Sequence, residues 1–388
     1  MPARVLIVAG EASADHHGAA LVRELKKMRP DVQTFGVGGK HMRDEGFECI
    51  ADAEDMAVAG LTEVLWALPR LLGIASKMVR AAELRAPDVA VLIDHPDFNL
   101  RLAKKLKALG VRVVYFISPQ VWAWRQKRVE VIRERVDEML VIFPFEEEFY
   151  ARHGVRVRFV GHPFVESLPE NPDRDRARAE LKLGHASAFV ALLPGSRNKE
   201  VSRHLPIMLD AMRLVHERLP GTRALIPVAS TIKRADVEDA VRLAGVDAEI
   251  IDGHATEVLS AADTAVVCSG TATLQAALLS RPMVVVYRAS WLTYQILKRM
   301  IKVAHIAMVN LIAGRSLVPE LIQDAFTPQN VAQHVEAMLE DKVARQALEG
   351  ELQRIRERLG TGAPARRVAE VVATYLRPPE QFPPKEVR

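Results

Sequence analysis

The chain has 388 residues, 49% of them hydrophobic and 26% charged, with a formal net charge of +4. That length and balance fit two well-cored globular domains and exclude disordered or fibrous classes. Two isolated cysteines, Cys49 and Cys268, exclude a disulfide framework and a cysteine zinc site, and the mild basicity allows an anionic partner without requiring one.

The first half alternates apolar strands with amphipathic helices. Residues 5–9 predict a strand that passes through Gly10-Glu11-Ala12-Ser13 into a helix over 15–27. A strand so early leaves no room for a signal peptide, and none is expected. Residues 32–36 predict a second strand, followed by a turn at Gly38-Gly39. Segment 56–74, MAVAGLTEVLWALPRLLGI, is strongly apolar, but Gly60 and Pro69 interrupt it, so it is no spanning helix. Residues 89–93 predict a strand ending at Asp94-His95-Pro96-Asp97, then a helix over 101–109. A strand over 111–117 ends at Ser118-Pro119, and 139–142 and 157–160 predict two more. Apolar strands interleaved with helices predict a parallel, doubly wound α/β sheet.

Segment 166–180 carries Pro169, Pro172 and a cluster of charges, and reads as a linker. The pattern then repeats, with strands at 190–193, 223–228, 249–251, 265–268 and 283–287 and a helical tail after 328. We therefore expect a first domain at 1–165, a linker at 166–180, a second domain at 181–345, and a tail at 346–388 packing back across the domains.

Two turns of the second half carry chemistry. The strand at 265–268 stops at Ser269-Gly270-Thr271 and a helix follows; the strand at 190–193 stops at Pro194-Gly195-Ser196-Arg197 and another helix follows. A helix start offers free N–H groups and the positive end of a dipole, which favour a phosphate. Arg197 adds a planar cation suited to phosphate oxygens, with capping of a carbonyl or pairing with Asp or Glu as its structural alternative. An ordinary capped turn is the alternative for each alone. Two such turns in one α/β half predict a diphosphate held between adjacent strand ends. Two nucleotide-type halves, with these turns only in the second, match the GT-B glycosyltransferase plan: donor on the second domain, acceptor on the first, chemistry between them.

The chain resembles the lipid-A-disaccharide synthase family over nearly its whole length. The segments that carry the resemblance are AGEASAD (9–15), MAVAGLTEV (56–64), DHPDFN (94–99), ISPQVWAWR (117–125), FPFE (143–146), PGSR (194–197), SGTAT (269–273) and NLIAGR (310–315). The resemblance implies transfer of 2,3-diacylglucosamine from its UDP donor to 2,3-diacylglucosamine 1-phosphate, giving a β-1,6 disaccharide and UDP. It also implies a cytoplasmic enzyme, peripheral on an anionic inner membrane. The chain departs from the family pattern at Ala14, usually Gly, and at Gln275, usually Glu. A Glu at 275 accepts bonds from a ribose diol; Gln offers one neutral carbonyl and a donor.

The expected catalytic residue is Asp94, a general base at a strand end, by position in the family motif; capping of the next helix is its structural alternative. His95 is the rival base. The donor residues expected are Ser196, Arg197, Ser269, Gly270, Thr271 and Gln275, with Asn310 and Arg315 added by the family pattern. Glu11, Ser13, Asp15, Asn99, Trp122 and Arg125 are expected around the acceptor, with helix-dipole stabilisation as the alternative for Asp15 and local bonding as the alternative for Asn99. The Trp122–Arg128 stretch mixes aromatic and basic groups but is too short for a nucleic-acid stripe, so no nucleic-acid partner is expected. Val64, Leu65, Trp66, Leu68, Leu71 and Leu72 are expected to meet acyl chains or the bilayer, with core packing as the alternative. No Asp-x-Asp motif stands in the donor half and no His/Cys ligand cluster occurs, so no obligatory metal or other cofactor is expected. Two rival functions stand beside this one: another GT-B UDP-sugar enzyme, a UDP-N-acetylglucosamine 2-epimerase or a lipid-linked N-acetylglucosaminyltransferase, and a non-catalytic nucleotide-binding protein of the membrane surface.

Overall fold

The computed structural model describes residues 2–56, 63–300 and 303–378. The chain groups into two units, residues 1–163 with 362–388 and residues 164–361.

In chain order the first unit carries β1 (Arg4–Ala9), α1 (Ala12–Met28), β2 (Gln33–Gly38), α2 (Lys40–Asp44), β3 (Glu48–Asp52), α3 (Glu63–Arg85), β4 (Val89–Ile93), α4 (Pro96–Ala108), β5 (Arg112–Phe116), α5 (Arg128–Arg135), β6 (Glu138–Val141), α6 (Pro144–Arg152) and β7 (Val157–Phe159). Its seven strands form one sheet in the order β3-β2-β1-β4-β5-β6-β7, and every recorded pairing is parallel. Helices cover both faces, so β1 and β4 are buried almost end to end, which is why they read as unbroken apolar runs. Each buried Val, Leu or Ile there contributes about 1.5–3 kcal/mol by leaving water. Gly36 is required: its φ is +140°, and a Cβ there would stand 2.2 Å from the Ile7 carbonyl oxygen.

The second unit follows the short α7 (Pro163–Ser167) with α8 (Arg174–Glu180), β8 (Ala188–Leu193), α9 (Asn198–Arg218), β9 (Thr222–Val228), α10 (Arg234–Ala244), β10 (Ala248–Asp252), α11 (Ala255–Ala261), β11 (Thr264–Cys268), α12 (Thr271–Leu278) and β12 (Met283–Tyr287). It continues through α13 (Trp291–Met300), α14 (Met308–Ala313), β13 (Glu320–Ile322), α15 (Pro328–Glu340) and α16 (Lys342–Arg358), while α17 (Pro364–Ala373) returns to the first unit and packs on α1. The sheet order is β10-β9-β8-β11-β12-β13, again parallel. Both sheets are therefore doubly wound, as expected.

Differences from the expected elements have local causes. β3 and β13 were not anticipated; both are short edge strands with one side free, so neither needs an apolar run. α4 begins at Pro96 rather than near residue 101, because proline at the first helical position fixes φ and has no N–H to lose. Segment 166–180 contains α8, whose Asp173 caps the Arg176 N–H and whose Arg174 and Arg178 clamp the buried Asp263 carboxylate at 3.0 and 2.8 Å. Residues 346–361 belong to the second unit: Arg356 of α16 donates to the carbonyls of Val165, Leu168, Pro169 and Leu278. Residues 57–62 and the side chains of 63–67 lie outside the described residues, and with them the expected contacts of Val64, Leu65 and Trp66.

Candidate active site

β8 and β11 are neighbours on either side of the point where the strand order of the second sheet reverses. Ligands of doubly wound sheets bind there, beyond the carboxyl ends of the strands. The two turns picked out from sequence leave these strand ends and line one cavity of about 530 Å³. Its wall includes Ser196, Arg197, Ser269, Gly270, Thr271 and Gln275, so six expected donor residues come together. No described atom lies within 4 Å of where a Cβ of Gly270 would stand, which leaves the N-terminus of α12 open to the cavity.

Several neighbours in this cavity carried no signal of their own in the sequence. Pro227 and Val228 at the end of β9, Ala229 beyond it, and Gly253-His254-Ala255 after β10 complete the wall. Cys268 lines it too, where burial pushes its thiol up to about 12. Glu200, in the first turn of α9, accepts the Ser196 N–H at 3.1 Å and the Arg197 guanidinium at 2.8 Å. Fully buried His204 braces the first turn: its Nδ1 donates to the Pro194 carbonyl at 2.8 Å and its Nε2 accepts the Arg288 N–H at 3.0 Å.

Asn310 and Arg315 do not line this cavity. The Asn310 amide is spent inside its own loop: it donates to the Val318 carbonyl and Glu320 and accepts from the Leu317 and Val318 N–H groups. Arg315 pairs with Glu351 on the surface.

In the first unit the strand order reverses between β1 and β4. Asp94 directly follows β4 there, with φ +49°, and His95 comes next with φ +46°. Two successive left-handed non-glycine residues are strained, and such strain persists only where surroundings enforce it. Three bonds do so here. The Asp94 N–H donates to the Phe116 carbonyl at 3.0 Å, and its carbonyl accepts from Asn99 Nδ2 at 2.6 Å and from the Tyr115 hydroxyl. The capping role is not taken: α4 is preceded by His95 and has no side-chain cap. Burial raises the Asp94 carboxyl above its ordinary value, against the opposing pull of the His95 N–H and ring. A shift in that direction suits a carboxylate to base chemistry near neutral pH.

Asp94 lines a second cavity, of about 310 Å³, with Ser118, Trp124, Arg125, Arg128 and Glu146. Two more strained residues border it, Ile117 at φ +65° and Arg125 at φ +54°. For a β-branched residue that is a true outlier. The Arg125 guanidinium lies over the Trp124 ring at 4.3 Å, its one side-chain partner among the described residues. Behind the wall, Glu146 accepts Ser118 Oγ and Trp122 Nε1, each at 3.0 Å, and the Phe143 N–H at 3.1 Å. Burial pushes its carboxyl up to about 7.

The remaining expected acceptor residues divide. Glu11 and Ser13 are exposed at the start of α1. Asp15 is buried and takes a role not expected of it: it accepts the N–H groups of Gly39, His41 and Met42 and the His41 ring, closing the β2–α2 turn. Asn99 is likewise spent on the carbonyls of Ile93 and Asp94, and Trp122 on Glu146. Ala14 lies in α1 without positive φ, so the missing glycine costs the turn nothing. On α3, Ile74 and Met78 are buried and Leu71 packs on that core, while Leu68 and Leu72 are 38% and 53% exposed. Among the described residues, no helix is long and apolar enough to cross a membrane, and no cluster of three metal-ligating side chains occurs.

Comparison with known proteins agrees with this geometry. Solved structures share the fold over nearly full length: the UDP-GlcNAc 2-epimerase of Neisseria meningitidis bound to UDP-GlcNAc (TM-score 0.66, 11% identity, 96% of this chain and all of that one) and MurG of Acinetobacter baumannii (TM-score 0.60, 13% identity, 96% and 100%). At such identities they fix the GT-B architecture alone. Sequence relatives go further. The lipid-A-disaccharide synthases of Anaeromyxobacter dehalogenans and Myxococcus xanthus are 47% and 46% identical over 375 and 377 residues, covering 96% and 97% of this chain and 98% of each relative. A family model described as lipid-A-disaccharide synthetase matches residues 5–369. With both turns, the Asp94 strand end and the whole-chain match in agreement, this chain belongs to the lipid-A-disaccharide synthetase family of GT-B glycosyltransferases.

Proposed function

We propose that the second unit binds UDP-2,3-diacylglucosamine and that Asp94 activates the 6-hydroxyl of 2,3-diacylglucosamine 1-phosphate. The observation that carries the donor half of this reading is the β8–β11 pairing, which brings both anion-ready turns into one cavity. Asp94 takes the hydroxyl proton, the freed oxygen attacks the anomeric carbon, and the bond from that carbon to the diphosphate breaks with inversion. UDP leaves with the bonding pair. Arg197 and the N–H groups at the start of α12 meet the charge that develops on it. Those groups give the leaving diphosphate positive charge from the protein itself, and the reaction we propose has no obligatory metal. Gln275 faces the donor as a neutral ribose partner.

On the acceptor side, Arg125 suits the 1-phosphate, because its guanidinium carries no carboxylate partner among the described residues. The outward face of α3, with Leu68, Leu72 and Leu84 exposed beside Lys77 and Arg80, suits acyl chains and an anionic bilayer surface. On this reading the working enzyme sits at the cytoplasmic face of the inner membrane.

The test is UDP release from UDP-2,3-diacylglucosamine with and without the monosaccharide acceptor. Release that depends on the acceptor, with a disaccharide product, supports the reading. Release at the same rate without acceptor, or none with it, rejects it.

A further inference from the structure

An anion already sits in the anion-binding turn, and it belongs to the protein. Glu200 Oε2 accepts the Ser196 N–H at 3.1 Å, and Oε1 accepts the Arg197 guanidinium at 2.8 Å. Its carboxylate lies so close over the turn that a Cβ at Gly195, whose φ is +122°, would stand 2.5 Å from Oε2. Glu200 also lines the donor cavity. The two donors that a diphosphate needs at this strand end, one backbone N–H and one fork-shaped cation, are both engaged by the same carboxylate.

We propose that Glu200 is an internal stand-in for the donor diphosphate, released when a nucleoside diphosphate binds and restored when it leaves. The inference rests on the reading of this cavity as the UDP site. Electrostatics drives the exchange. A diphosphate beside an engaged carboxylate meets a like charge, whereas one that replaces it inherits both bonds. The exchange lowers apparent affinity by the fraction of molecules in which Glu200 has vacated the turn. Its use is in turnover, since UDP is the product as well as part of the donor, and a competing internal anion speeds its departure.

The competing role is positioning. In that case Glu200 stays on the Ser196 N–H and steadies Arg197 while the ligand binds. The two roles predict opposite signs. Glu200→Gln keeps the size and can still accept the Ser196 N–H, but it loses the charge. Calorimetry of UDP and of uridine against both proteins separates the roles. A stand-in predicts UDP binding about fivefold tighter in Glu200→Gln, the size of releasing an exposed ion pair, with uridine unchanged because it has no phosphate. UDP binding that is unchanged or weaker, or uridine tightened equally, overturns the proposal. Should Glu200→Gln fail to fold, Glu200→Ala serves: it removes the carboxylate altogether, and UDP must still tighten. If wild-type protein binds no UDP, the reading of the cavity fails instead, so the two failures are distinct.

Discussion

Asn99 Nδ2 lies 2.6 Å from the carbonyl oxygen of Asp94 and 3.1 Å from that of Ile93, so a buried amide on α4 holds the left-handed strand end that presents the Asp94 carboxylate. Asp94→Asn keeps the shape of the site and removes the base. Turnover is expected to fall by about 10² or more, with melting temperature and UDP affinity unchanged. Near-normal turnover in the folded variant would reject Asp94 as base. Asn99→Ala leaves the carboxylate but removes two hydrogen bonds to carbonyls, with Tyr115 still meeting that of Asp94, costing about 1–3 kcal/mol of stability and lowering kcat through misplacement of Asp94. A kcat equal to wild type would show that the strained turn needs no such brace.

Arg197→Ala is expected to weaken UDP binding by about 1.5 kcal/mol, the low end for a bond to a charged group, because the free protein already engages this guanidinium with Glu200. Arg197→Lys should recover only part, since the fork is lost. Calorimetry with unchanged UDP affinity in Arg197→Ala would remove the residue from the donor site.

Leu72 is 53% exposed on α3 while Ile74 and Met78 on the same helix are buried. Leu72→Glu should therefore leave the melting temperature near wild type and reduce co-sedimentation with anionic vesicles. Lost apolar contact, about 25 cal/mol per Å², and repulsion from anionic lipid act together. Met78→Glu is the contrast: an unpaired carboxylate in the core should unfold the unit. Vesicle binding unaffected by Leu72→Glu would end the role of this face.

Burial pushes the Glu146 carboxyl from an ordinary 4.5 up to about 7. Between those values the folded protein keeps a proton that the unfolded chain has released. Its contribution to stability is thus fully present below the window and is lost as pH rises through it. Glu146→Gln should flatten the fall in unfolding free energy across the window, measured by chemical denaturation on either side. A wild-type profile that does not fall there would reject a neutral Glu146.

Strand ends followed by Gly-Ser turns were legible because the chemistry is local: a helix start and its neighbours carry it whatever the rest of the fold does. Asp94 was legible as a position, but its strained backbone was not, because Tyr115 and Phe116 enforce it from the next strand. Glu146 and His204 were invisible as site residues for the same reason. Their partners, Ser118 and Trp122 for one, Pro194 and Arg288 for the other, are set by packing between separate elements. Asp15, Asn99 and Asn310 show the converse. Each sits in a recognisable motif, yet its side chain is spent on backbone groups that only the folded chain brings near.

The β8–β11 pairing also bears on how the protein is made. β8 and β11 are spatial neighbours, but two strands and three helices separate them along the chain. Closing so long a loop is entropically slow and must precede the reward of the contact. A nascent chain that has emerged through β10 holds only one of the two turns that line the cavity. On the proposed reading, nucleotide affinity therefore arises late, once β11 has been inserted beside β8, and UDP binding can serve as a clock for that insertion during refolding.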